Sequence, residues 1–373
     1  MALKIIPLYK PFMPELPELH TILSSGSLAY GQYGKEFEKS LNAFLGTQQL
    51  FTTNAYNMSI LVALSTLNIR AGDEVVASPM SCLASTQPLL SQGLRVNWAD
   101  IDPEIGTLDP DSVLNKITPK TKLIIHNHYC GLVGYIDEIN AIGIDYGIPV
   151  IDDGIEAFGG EYKGKKIGNC GTDVTIFSFN SVRIPNTIDG GALIFKDKTL
   201  FEKSLLVRDC GIDRTRFRDE IGEINPACDI ALIGHSATMS DVNSYIGIQQ
   251  MKKMDEILEI QRRNALFFDI NLMHCSDILR SIKRAECKQN YWVYTLLAHK
   301  RDQLLDRLKR AGVSASKVHL RNDLYSAFGS GPVNLPGVAE FSAQCLSIPC
   351  GWWVSDKDRT HIMNLIHSQL DEL

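Results

Sequence analysis

An excess of basic charge is the first thing this chain lacks: 37 Lys and Arg stand against 43 Asp and Glu, giving a formal net charge of -6. No long run of Lys or Arg interrupts that balance. A surface built to hold phosphate backbones is therefore excluded, and nucleic acid is not an expected partner. Long apolar runs are missing too. No window approaches the roughly 18 apolar residues of a membrane helix, and "MALKIIPLYKPFMPEL" has no apolar stretch of signal-peptide length. The expectation is a cytoplasmic protein with no membrane partner. The nine cysteines are scattered, odd in number and without CxxC or metal-ligand spacing. That pattern fits reduced thiols better than a disulfide framework, and no metal is expected. Internal repeats, low-complexity tracts and flexible linkers are also absent.

What remains is a 373-residue chain, 45% hydrophobic and 21% charged, long enough for one large domain and a smaller one. "YNMSILVALSTLNI" (56–69) keeps helical spacing and leads through a Gly turn into the β-branched "DEVVAS". The alternation recurs: "RVNWADID" as strand, "LDPDSVLNKI" as a helix opened by Asp109-Pro110, "KLIIHNHY" as strand, "YIDEINAIGIDYG" as helix, and "IPVIDDGIEAFGG" as a strand ending in acid. Strands such as "LIIH" and "IPVI" are continuous apolar runs, which predicts a mostly parallel sheet covered by helices on both faces. In such α/β sheets the carboxyl ends of the strands carry the site. From about residue 240 the pattern changes to one long helix, "SDVNSYIGIQQMKKMDEILEIQRRNALFF", then a β-rich piece around "YWVYTLLAHK" and further helices. The predicted division is a large α/β domain over 1–240 and a smaller α+β domain over 241–373.

Several segments together, in order and spacing, resemble the DegT/DnrJ/EryC1/StrS sugar aminotransferases, a branch of the fold-type I enzymes that use pyridoxal phosphate. They are "GSLAYGQYGKEFEKSLNAFLG", "LNIRAGDEVVASP", "NHYCGLVGYIDEINAIGIDYGIPVIDDGIEAFGGEYKGKKIGNCGTDVTIFSF", "RDCGIDR", "MSDVNSYIGIQQMKKMDE", "VH" at 318–319 and "LSIPCGWWVSDKD". The likeness implies a homodimer whose cleft takes a nucleotide-linked sugar.

It also implies site residues. Asp153 takes the position of the acid beside the pyridine nitrogen, Glu156 lies beside the ring, and Ser178, with Asn180 as a further donor, takes the phosphate position. Other anchors differ. Tyr56-Asn57 replaces a Gly-Thr pair at a helix N-terminus, Cys82 replaces the aromatic that stacks on the ring, and Ser236 replaces an asparagine lent by the neighbouring subunit. Five residues beyond Ser178, Arg183 falls where the family carries its Schiff-base lysine. A guanidinium forms no stable imine, so ordinary transamination is not expected. Lys163, Lys165 and Lys166 belong to "YKGKKIG", a loop segment shared with the family, and are poor substitutes.

Sugar 3-dehydratases of the family carry histidine at this position and use pyridoxamine phosphate without an internal aldimine. Arginine suits an anion clamp better than a proton shuttle. The competing reading pairs Arg183 with Asp153 or Asp189 in a site that has lost its cofactor. Three histidines remain. His126 and His128 follow an apolar strand, with His128 a candidate acid or base, and His319 matches a segment near the substrate in relatives.

The expectation is a nucleotide-sugar enzyme acting on a keto-deoxy sugar by isomerisation, epimerisation or dehydration. Asp153, Glu156 and His128 would supply the proton chemistry, and Arg183 would hold an oxyanion. No covalent cofactor is expected; pyridoxal or pyridoxamine phosphate held noncovalently is the alternative within the enzyme class. A noncatalytic assembly partner of an active paralogue is the alternative outside it.

Overall fold

A computed structural model describes residues 4–273, 279–282, 284–329 and 331–370. The strands, in chain order, are β1 (Leu50–Thr53), β2 (Glu74–Ala77), β3 (Arg95–Trp98), β4 (Thr121–Asn127), β5 (Val150–Asp153), β6 (Glu161–Tyr162), β7 (Lys165–Lys166), β8 (Val174–Ser178), β9 (Gly191–Phe195), β10 (Leu279–Ser281), β11 (Cys287–Lys288), β12 (Tyr294–Ala298) and β13 (Cys345–Ile348).

Seven of them form the main sheet in the order β1-β9-β8-β5-β4-β2-β3. The run from β3 to β8 is parallel, while β9 lies antiparallel to both β8 and β1. Both faces are covered, as the apolar strands require. Val75, Leu123, Ile125 and Ile151 share one core with Ile60 and Leu64 of the helix Tyr56–Thr66. Val76, Ile124 and Val150 share another with Ile139 and Ile142 of the helix Ile136–Tyr146. Adjacent residues of one strand thus feed opposite cores, the strand period of two.

The segment read as one long helix is two, Asp241–Met251 and Met254–Leu272, broken at Lys252-Lys253. No proline or glycine stands at the break. The first half lies against the helix Gln32–Leu45, where a Cβ at Gly247 would collide with the Phe37 ring. The second half joins the smaller core through Ala265, Phe268 and Leu272. Met254, Ile257 and Leu258, just past the break, share a core with Ile248 and Phe37 before the chain reaches the smaller core.

The smaller domain is built on the antiparallel sheet β10-β12-β13. Its core, around Leu296, Leu304, Leu346 and Ile362, also takes Ile6. Ile6 forms a parallel bridge with Val313, and its amide donates to the Gly312 carbonyl at 2.8 Å. The N-terminal segment therefore crosses to the smaller domain and walls one side of the cleft between the two.

Candidate functional site

The parallel strands bring Asn127 and Asp153 together at their carboxyl ends, paired in register. Asp153 is fully buried. Its Oδ1 accepts from the Tyr56 hydroxyl at 2.7 Å and the Ile155 amide at 3.1 Å, while Oδ2 has no partner among the described residues. Burial raises the carboxyl, and burial with the neighbouring Asp153 charge pushes the Tyr56 phenol well above its ordinary value. Tyr56 therefore stays protonated and donates. A second bond, 2.9 Å, joins its hydroxyl to Ser85 Oγ.

Strand parity turns His126 and His128 to the opposite face, toward Asp152. His126 Nδ1 lies 3.0 Å from Asp152 Oδ1, and His128 Nε2 lies 3.1 Å from Oδ2. Gly134 N–H donates to His128 Nδ1 at 3.2 Å, so the ring proton sits on Nε2, close to the carboxylate but without an aligned hydrogen bond to it. Burial alone would raise Asp152, yet the two histidines hold it well below the usual carboxylate range; burial lowers His126. The expectation that His128 shares a site with Asp153 and Glu156 is corrected here: His128 is sealed beneath the sheet, anchoring Asp152. Its occupied lone pair also argues against reading His126, His128 and Asp152 as a metal site, although their ligand atoms lie close enough.

Glu156 is the hub on the cleft side. Its Oε1 accepts from Arg183 Nη1 at 3.1 Å and from His319 Nε2 at 2.9 Å, and its Oε2 accepts from the Cys130 amide at 2.7 Å. Burial would raise this carboxyl, but His319, Arg183 and the Cys130 amide outweigh it and bring the value down from 4.5 to about 2. Arg183 pairs with neither Asp153 nor Asp189. Its guanidinium lies over the Trp292 ring at 4.3 Å, and Tyr9 stacks on Trp292 with ring centroids 5.7 Å apart. Arg183 Nε is buried without a partner among the described residues, a donor left over for an acceptor. Cys130, Glu156 and His319 also come within metal-binding reach of one another, but the Arg183 cation already on Glu156 opposes a second cation.

Two non-glycine residues with positive φ frame this hub. Cys130 has φ 50° and turns its amide onto Glu156; Val318 has φ 60° in the tight turn closed by His319 N–H to the Lys317 carbonyl, 2.8 Å. A β-branched residue in that region is strained, and such strain collects at functional sites. Above the hub opens a cleft of about 730 Å³, lined among others by Tyr9, Arg183, Trp292, Lys309, Ser316 and His319.

The remaining expected residues lie around this centre, and Cys82 is near enough to feel the charges of Glu156, Arg183 and Asp153. Ser178 ends β8, its Oγ accepting from the Asn180 amide at 3.3 Å, and Asn180 is exposed. Cys82 caps the helix Leu83–Ser91 through its backbone, and burial raises its thiol. Asn57 is exposed. Ser236 bridges Asp209 through its main chain, and its carbonyl accepts from Asn54 Nδ2 at 3.1 Å, two residues ahead of Tyr56.

These residues do not fit pyridoxal phosphate. Position 183 offers no amine and position 82 no aromatic ring, and Asp153 already accepts from the Tyr56 phenol at Oδ1, with Oδ2 left open. Sequence reasoning named Arg183, Glu156 and His319 separately but missed Tyr9 and Trp292. Only the aromatic pair in "YWVY" hinted at a stacking surface.

The main sheet, its helical cover and the site at the strand ends define a fold-type I aminotransferase architecture. The chain matches the DegT/DnrJ/EryC1/StrS aminotransferase family over residues 13–367 and belongs to it. Sugar aminotransferase CalS13 from Micromonospora echinospora is 30% identical, with 98% of this chain and 100% of that one covered and a TM-score of 0.91. AtS13 from Actinomadura melliaura is 30% identical over 99% of this chain and 100% of that one, with a TM-score of 0.92. An uncharacterized Methanocaldococcus jannaschii protein, MJ1066, is 27% identical over 97% of each chain. Among the described residues no helix is long and apolar enough to cross a membrane.

Proposed function

We propose that the protein moves protons on a nucleotide-linked keto-deoxy sugar, without transamination and without pyridoxal phosphate. The observation that carries this reading is the Arg183–Glu156–His319 hub beneath the cleft. Glu156, ionised, can only accept, so His319 Nε2 must donate to it and Nδ1 holds the lone pair. A carboxylate-oriented imidazole of this kind is a general base. Nδ1 removes a proton from the carbon beside the sugar's keto group, and the electron pair moves onto the oxygen. Arg183 holds the resulting anion through a donor that Glu156 does not use. Reprotonation of the opposite face by solvent water, with the His319 proton released to solvent, epimerises the carbon. The Tyr9–Trp292 stack at the cleft offers an aromatic surface to a nucleotide base. That CalS13 is a sugar aminotransferase supports a sugar as the substrate. The test is uptake of deuterium from heavy water into such a sugar nucleotide, followed by NMR.

The same hub predicts a pH effect. A carboxyl held below its unfolded value contributes stability that is full above about pH 4.5 and is lost as pH falls through about 2. Arg183→Met removes one of the groups holding it down. Acid unfolding of that variant, followed by circular dichroism, is expected to begin at higher pH than in the wild type; an unchanged acid midpoint would remove Arg183 from the hub.

A second copy completes the proposal. Ile221 and Ile233 are 84% and 87% exposed, on a segment that also presents Ile224 and Ile230. Four exposed isoleucines on one excursion mark a surface made to be covered. Sedimentation is expected to give a dimer, and the paired change Ile221→Asp and Ile233→Asp is expected to give a folded monomer. A wild-type monomer at micromolar concentration contradicts this.

A further inference from the structure

We infer that Tyr56 is a tethered occupant of the seat a phosphopyridine cofactor would take, and that removing its side chain opens a binding site for that class of ligand. The inference rests on the cofactor-free part of the reading above and not on the reaction proposed there. Tyr56 opens the helix Tyr56–Thr66, whose N-cap, Ala55, contributes no side-chain bond. An uncapped helix N-terminus is the kind of place that takes a phosphate. From there the side chain runs inward, 5% exposed as a residue, and ends 2.7 Å from Asp153 Oδ1.

The phenol thus spans the gap between a helix N-terminus without a side-chain cap and a buried carboxylate. A pyridinium bound in that gap would present the same shape: a six-membered aromatic ring carrying its phosphate toward the helix and an N–H toward the acid. The Tyr56 ring supplies the plane, its hydroxyl supplies the donor, and Ser85 Oγ takes the hydroxyl's other side at 2.9 Å. A second observation points to a ligand-sized role for this seat. Asp153 Oδ2 is buried and unpaired among the described residues, while Tyr56 and the Ile155 amide both sit on Oδ1. An aspartate kept solely for structure would be costly in this state.

Deleting a buried phenol leaves a hole on the order of 150 Å³, a size that admits a benzene-like ring. Pyridoxamine phosphate is the probe of choice because it needs no lysine. The wild type and Tyr56→Gly are compared by thermal unfolding and by equilibrium dialysis, with pyridoxamine phosphate and, as a ring without phosphate, 4-methylphenol. Tyr56→Gly is expected to melt lower than wild type and to recover part of that loss with either compound. It is expected to bind pyridoxamine phosphate at least about tenfold more tightly than wild type, whose melting is expected not to move.

Tyr56→Phe, which keeps the ring and loses only the hydroxyl, is expected to exclude pyridoxamine phosphate as the wild type does. Binding by the wild type, or by Tyr56→Phe as tightly as by Tyr56→Gly, would overturn the inference. So would a folded Tyr56→Gly that responds to neither compound. If Tyr56→Gly does not fold, Arg183→Lys decides: after borohydride treatment with pyridoxal phosphate, and with the wild type as the control for reaction at exposed lysines, the peptide carrying position 183 is expected to be unmodified, and an adduct there would show that Tyr56 is no obstacle. Because every readout is binding or melting, a folded Tyr56→Gly that binds neither compound leaves the proton-transfer reading standing, whereas wild-type binding would count against both; absence of deuterium uptake under all conditions leaves this inference standing.

Discussion

His319→Ala should lower deuterium uptake into a nucleotide-linked keto-deoxy sugar by at least about 100-fold, the usual contribution of a positioned general base. The expectation follows from a single geometry. Glu156 Oε1 receives the His319 Nε2 proton at 2.9 Å, which fixes the tautomer and leaves Nδ1 basic. Glu156→Gln should produce a smaller loss, because an amide oxygen still accepts from Nε2 but no longer carries the charge that supports an imidazolium. It should also shift the pH profile of uptake, a change that mere loss of folding would not produce. A His319→Ala protein that is folded and retains uptake within a few-fold of wild type would remove His319 from the chemistry.

The second large effect is on stability. Asp152→Ala should destabilise the protein by about 1–3 kcal/mol, the cost of leaving the buried His126 Nδ1–H without its acceptor. Asp152 takes His126 at 3.0 Å on one oxygen and His128 at 3.1 Å on the other, and all three side chains are buried. Without the carboxylate, the His126 Nδ1–H loses its acceptor in a buried place. Urea unfolding measures this directly. A loss below about 1 kcal/mol would mean that the three groups find other partners. Residual uptake per folded molecule should be near normal, since the trio faces away from the cleft.

How much of this was legible beforehand depends on the residue. Continuous apolar runs in "LIIH" and "IPVI" announced a doubly covered parallel sheet, and Asp153 fell at a strand's carboxyl end as the α/β rule requires. The direction of His128 was readable in principle, because residues two apart on a strand share a face and His126, His128 and Asp152 follow that parity. It was obscured by the family comparison, which places the segment near the pocket without saying which face it serves. The break at Lys252-Lys253 carries no local signal, since neither proline nor glycine stands there. Tyr56 was visible as a bulky residue at a helix start, expected to crowd a phosphate. Its reach to Asp153 is a long-range contact that no local pattern encodes. The same holds for Tyr9 on Trp292, which joins the chain's first residues to its smaller domain.

The most direct test of the whole account is deuterium uptake by wild-type protein stripped of small molecules, measured with and without added pyridoxal or pyridoxamine phosphate. Uptake that proceeds without either compound, unchanged when they are added, is the predicted result. Uptake that appears only on their addition would contradict the account and return Arg183 to a cofactor-dependent site.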